Sequence, residues 1–230
     1  MSVIVDPQLE KAQILVKYAL TKDNSLKKVV KEIISQSSED SPELPQLSCG
    51  PFETEDEAVK AVIEAGKAIS KLKFAGTVFG NVSVKVKDRL YISATGTELG
   101  KLEDNVVVSD LKGNSLNGLK PSSELPAHLE IVNNSTATCI LHAHPFFTVV
   151  MSMIKGIGNN IFGVPIVGGD VGGGENGLSQ TVPPALKANR IVIVHEHGPF
   201  STDDFDLNNP LNQIYKLEKL CREEYISKYL

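Results

Sequence analysis

The stretch TCILHAHP, residues 138–145, decides how this chain is read. Residues 138–142 form a short apolar run of the kind that makes a buried strand, and the run ends on His142-Ala-His144. In a strand, residues i and i+2 point to the same side, so both imidazoles can aim at one point. Residues 190–194 repeat the arrangement and end on His195-Glu-His197. Two imidazoles from one strand and a third from the other would make a three-nitrogen set with one open position, the arrangement of a catalytic rather than a structural zinc. On spacing alone, His195 and His197 are both open for the third place. One His-x-His pair is often a surface accident; two pairs at strand ends, with an acid upstream, are harder to dismiss.

Outward from these runs the pattern alternates between helix and strand. Residues 8–35 carry apolar positions at helical spacing, with a break at residues 21–25. Residues 35–51, rich in Ser, Pro and acid, read as a linker. Thr54 with Glu57 three residues on makes a capping box, and Ala58, Val62, Ala65 and Ile69 follow as the apolar face of a helix. Residues 82–93 read as a hairpin turning at Lys87-Asp88-Arg89, residues 106–110 as a short strand, and residues 122–132 as a helix capped by Ser122 or Ser123. Residues 156–177 hold many glycines and read as loop; residues 210–230 read as helix. Interleaved strands and helices make the class α/β.

The bulk numbers remove several alternatives. A chain of 230 residues with 41% hydrophobic and 22% charged residues can bury a core and is not a disordered polymer. A net charge of -5, with no basic stripe, argues against nucleic acid as a partner. Cys49, Cys139 and Cys221 are too scattered for a disulfide framework or a thiolate zinc site, which suits a reducing, cytoplasmic setting. The first residues, MSVIVDPQLEKAQ, lack the pattern of a secretory signal, and no apolar run is long enough to span a bilayer.

Two further groups of residues can carry chemistry. In Lys120-Pro-Ser-Ser-Glu124 the hydroxyls of Ser122 and Ser123 and the N–H groups of a helix start can bind an anion, and Glu124 falls in the first turn. Taken alone, Ser-x-x-Glu is an ordinary helix cap. Gly80-Asn81-Val82-Ser83 and Ala94-Thr95-Gly96-Thr97 set small or polar residues beside strand ends, where backbone can approach a ligand closely.

In their order and spacing, GNVSV (80–84), ISATG (92–96), PSSE (121–124), HAHP (142–145) and HGPF (197–200) resemble the class II aldolase and adducin family. The resemblance covers about residues 53 to 230 and divides the chain into an N-terminal helical extension and linker, 1–50, and a catalytic domain, 51–230. It implies a three-layer αβα sandwich around a mostly antiparallel sheet and assembly as a homotetramer. It implies His142, His144 and His197 as ligands of one zinc ion per subunit, with Mn, Co or Fe as alternatives, and leaves His195 out. It implies Glu124 as the catalytic acid–base, and Asn81, Thr95, Gly96, Ser122 and Ser123 as the grip on a substrate phosphate. The implied reaction is retro-aldol cleavage of a small ketose phosphate to dihydroxyacetone phosphate and an aldehyde. A sugar-phosphate epimerase or dehydratase on the same scaffold is the alternative, and a non-catalytic adducin-like interaction protein the third choice. Family aldolases use tyrosines on the aldehyde side, but no tyrosine stands between Tyr91 and Tyr215 here.

Overall fold

In the computed structural model, which describes residues 8–38, 43–74, 79–171, 174 and 176–230, the expected hairpin forms between β1 (Asn81–Val86) and β2 (Arg89–Ser93). Val86 pairs with Arg89, so the turn is the two residues Lys87 and Asp88, and Lys87 takes a positive φ of 55°. The sheet grows from it with β3 (Val106–Asp110), β4 (Cys139–His142), β5 (Asn160–Ile161), β6 (Val164–Val167), β7 (Ile191–Val194) and β8 (Gly198–Asp203). The strand order is β3-β2-β1-β4-β8-β7-β6-β5, and every neighbouring pair is antiparallel except β6 with β7.

Alternation along the strands divides the core between the two faces of the sheet. Val82, Val84, Tyr91 and Leu141 point to one face, under α3 (Glu55–Lys71) and the first half of α7 (Asn208–Tyr229). Leu90, Ile92, Ile140, Val192 and Phe200 point to the other, under α4 (Leu125–Asn134) and α6 (Leu178–Ala188). The result is the expected α/β sandwich of helical layers around a mostly antiparallel sheet. The capping box of α3 is complete: the Glu57 N–H donates to Thr54 Oγ1 at 3.3 Å, and the Thr54 N–H donates to Glu57 Oε2 at 3.0 Å.

A further apolar cluster gathers α1 (Leu9–Thr21), α2 (Lys27–Ser38), α5 (Phe146–Lys155) and the second half of α7. The break between α1 and α2 falls where the sequence placed it. Lys22 closes α1 in the left-handed region, and Asp23 accepts the Ser25 N–H to start a 3₁₀ turn over Asn24–Leu26. The Tyr225 hydroxyl donates to the Leu15 carbonyl at 2.8 Å and ties α7 to α1. No helix among the described residues is long and apolar enough to cross a membrane.

Three elements were not expected. α5 is short and buried on several sides, and its polar residues Thr148 and Ser152 are buried along with Phe147, Val150 and Met151. α6 contains Pro183 and Pro184, which read as breakers; Leu178, Val182 and Leu186 hold it against the sheet nonetheless. β8 opens on Gly198-Pro199, which reads as a turn, but proline is tolerated at a strand's start. The segment expected to be loop also contains the β5–β6 hairpin, with Phe162 and Gly163 at positive φ in its turn. Residues 172, 173 and 175 of that segment, and residues 39–42 of the expected linker, lie outside the described residues.

Candidate active site

Strands β1, β4 and β8 are neighbours at the middle of the sheet, and the chemistry-bearing residues gather at one end of them. His142, the last residue of β4, pairs with Asn81 of β1 on one side and Phe200 of β8 on the other. Its ring is fully buried and stacks on Phe200 with centroids 4.1 Å apart. His142 Nδ1–H donates to the Pro199 carbonyl at 3.0 Å, which leaves the Nε2 lone pair facing the site. His144 follows two residues on, its Nε2 3.0 Å from His142 Nε2. His197 comes from the turn between β7 and β8. The candidate ligand atoms of His142, His144 and His197 all lie within 4.8 Å of one another.

This donor set fits a divalent metal. Nitrogens bound tetrahedrally to zinc at about 2.0–2.1 Å stand roughly 3.3 Å from each other. The His142–His144 separation of 3.0 Å is close to that. Two lone pairs at such a distance repel unless a proton or a cation lies between them. His195 is not in the cluster; its backbone N–H donates to the Val167 carbonyl.

Two glycines explain why the motifs read as they do. Gly198, after His197, has a φ of +127°, and a Cβ on it would stand 2.2 Å from the Ala143 carbonyl oxygen. Gly80, before Asn81, has a φ of +83°, and its Cβ would stand 2.7 Å from the His142 carbonyl oxygen. Both let neighbouring backbone press against the segment 142–144 that carries two of the histidines. Between them in function sits Glu196, which holds a φ of +62° at the tip of the turn and donates its N–H to Ser152 Oγ at 3.1 Å.

Glu124 corrects the expectation of a serine cap. It is itself the residue at the N-cap of α4, yet its side chain makes no cap bond. Ser122 Oγ accepts the Glu124 N–H instead, at 3.3 Å. The carboxylate turns inward, only 4% exposed, where Oε1 accepts from His197 Nε2 at 2.7 Å and Oε2 from Asn81 Nδ2 at 2.8 Å. His142 Nε2 lies 3.5 Å from Oε2. Burial pushes this carboxyl up, but the imidazoles of His142 and His197 and the Asn81 amide outweigh burial and hold it well below the ordinary range. Glu124 is therefore ionised at neutral pH, close enough to the histidines to act as a base or as a further metal donor.

Behind Asn81 stand His128, which the sequence reading missed, and Ser83, which it named only beside a strand end. Because a carboxylate only accepts, Asn81 presents its Nδ2 to Glu124 and its Oδ1 to His128 Nε2–H, 2.5 Å away. That fixes the tautomer: His128 Nδ1 accepts from the Ser83 hydroxyl at 2.7 Å. Burial holds His128 down to about 4 against the smaller opposing pull of Glu124, so the ring is neutral. The signals were present: His128 follows Glu124 by four residues, one helical turn, and Ser83 follows Asn81 by two, on the same side of β1.

The five residues expected at a phosphate are only partly drawn together. Asn81 Nδ2 also donates to Ser122 Oγ at 3.2 Å. The Thr95 N–H donates to the Lys120 carbonyl at 3.0 Å, and the Ser122 N–H to the Ser93 carbonyl at 3.3 Å, so segments 93–95 and 120–122 run side by side. Thr95, Gly96 and Ser123 are exposed. Gly96 has a φ of +71°, and nothing stands within 4 Å of where its Cβ would be.

Residues 60–225 match the family model of the class II aldolase and adducin N-terminal domain. An L-fuculose phosphate aldolase of Methanococcus maripaludis is 43% identical over 77 residues, 33% of this chain and 42% of that protein. A methylthioribulose-1-phosphate dehydratase of Pseudoalteromonas translucida is 34% identical over 100 residues, 42% of this chain and 47% of that protein. The chain thus spans less than half the length of these curated relatives. A solved structure of an L-fuculose 1-phosphate aldolase superposes with a TM-score of 0.65 at 23% identity, over 77% of this chain and 89% of that one, a likeness of fold.

Proposed function

The chain belongs to the class II aldolase and adducin family, and from that premise we propose that it is a metal-dependent lyase acting on a small ketose phosphate. The reading is a retro-aldol cleavage that yields dihydroxyacetone phosphate and an aldehyde. The observation that carries it is the meeting of the His142, His144 and His197 ring nitrogens with a buried, ionised Glu124.

A divalent ion on the three histidines, zinc by the softness of imidazole, would supply Lewis-acid polarisation of the substrate carbonyl. Glu124 takes up and returns the proton that moves when the carbon–carbon bond is cut. Asn81 keeps the carboxylate aimed, and His128 and Ser83 keep Asn81 aimed. Ser122, Ser123, Thr95 and Gly96, with Asn81, offer hydroxyl, amide and backbone donors to the phosphate at the start of α4. A homotetramer belongs to the same proposal.

A dehydratase is the second reading, favoured by the lack of any tyrosine between Tyr91 and Tyr215 to handle the aldehyde oxygen. Metal analysis followed by product analysis on a panel of ketose phosphates separates the two. Cleavage needs about one metal per chain and releases dihydroxyacetone phosphate. Loss of water with the carbon chain intact selects the dehydratase. Undiminished turnover after chelation overturns both.

A further inference from the structure

A cavity of about 150 Å³ opens beside His144 and His197, on a side lined by neither Glu124 nor Asn81. Its walls are apolar: Leu9 and Ala12 of α1, Phe146 and Val149 of α5, and Phe79 ahead of β1. Gln8 and the exposed Glu196 also border it. Two of these walls thus come from α1, before residue 60, where the match to the family model starts. α1 is firmly seated. Ala12, Leu15 and Tyr18 are buried, Leu15 is tied to Tyr225, and the helix packs along α5, which supplies the opposite wall.

We propose that α1 gives the site an apolar subsite for the end of the substrate remote from the phosphate, a short alkyl tail rather than a hydroxylated one. The orientation rests on the proposed function, with phosphate on the Asn81 and Ser122 side and the reacting carbons at the histidines. A cavity of this volume holds about six heavy atoms, since one of roughly 150 Å³ accommodates benzene. A hydroxyl placed there would lose water and meet Leu9, Ala12, Phe79 and Val149 in return, which costs binding. A methyl or ethyl group gains by the same exchange.

Hydroxamates test this without turnover, because the hydroxamate chelates zinc and the tail reports on the cavity. Zinc-loaded protein is titrated calorimetrically with acetohydroxamate, butyrohydroxamate and 4-hydroxybutyrohydroxamate. Each buried CH₂ tightens binding about fourfold, so butyrohydroxamate should bind about tenfold or more tighter than acetohydroxamate. The terminal hydroxyl should cancel most of that gain. Leu9→Asn should remove the gain, and Leu9→Trp, which fills the cavity, should reverse it; both should keep the affinity for acetohydroxamate. Equal affinities for all three probes in the wild-type protein overturn the proposal, as does a gain untouched by both Leu9 variants. Ketose phosphate turnover without the gain would remove the subsite and leave the reaction, whereas the gain without turnover would leave the subsite and remove the reaction.

Discussion

The two sides of the site are built differently. The histidine side stands on the central strands: His142 is fully buried, stacked on Phe200 and bonded to the Pro199 carbonyl, and Glu124 has partners at both oxygens. The side proposed for the phosphate is made of exposed loop ends, among them Thr95, Gly96 and Ser123. Rigid placement belongs where a reacting atom must be met within a fraction of an ångström. A phosphate away from the reaction can be gripped by donors that settle around it.

This contrast can be broken at several depths. The deepest is His142→Ala, which should abolish metal binding and reduce activity to background, read by metal analysis after dialysis; a variant that keeps its metal would unseat the ligand set. Glu124→Gln should keep metal and fold but lose about 10²–10⁴-fold in turnover. Near wild-type rates would reduce Glu124 to a bystander at the helix start.

His128→Leu tests the layer behind Glu124. It leaves Asn81 Oδ1 and the Ser83 hydroxyl unpaired in the core, so activity should fall about tenfold or more with metal retained. His128→Gln, which restores a donor, should recover part of it. His128 also carries a pH signature. Its folded value of about 4 lies below the ordinary 6.5, so the unfolded chain takes up the proton first. Its share of stability is intact above the ordinary value and falls away as the pH drops toward the folded one, by up to about 3 kcal/mol. Urea melts of His128→Gln across that window should show a shallower loss than the wild type. Ser123→Ala should have the smallest effect, a rise of about threefold in KM for a phosphorylated ketose with kcat kept, and no rise for the free sugar. Equal effects on both sugars would take the phosphate away from this loop.

How far the sequence could be read follows the same division. Local patterns were legible: the capping box at Thr54, the hairpin at Lys87, the apolar runs ending at His142 and near His195. Each is fixed by residues within a few positions of one another. α5 and β8 were not legible, because the one buries its polar Thr148 and Ser152 together with its apolar residues and a leading Gly-Pro disguises the other. Spacing left His195 and His197 level. Only the turn after β7, with Glu196 at positive φ, brings the His197 nitrogen beside Glu124. Similarly, Ser122 and Ser123 read as the natural cap, whereas the residue at the N-cap is Glu124, whose carboxylate turns inward to Asn81, His142 and His197 and caps nothing.

The adjacency of β1, β4 and β8 has a kinetic side. Asn81 pairs with His142, and His142 with Phe200, across two chain separations of roughly sixty residues each, the sort of non-local contact that slows folding. The chain must therefore close two large loops before three ring nitrogens can meet. A metal ion would find a finished cradle instead of drawing the strands together, so zinc should leave the refolding rate unchanged while slowing the escape from the native state.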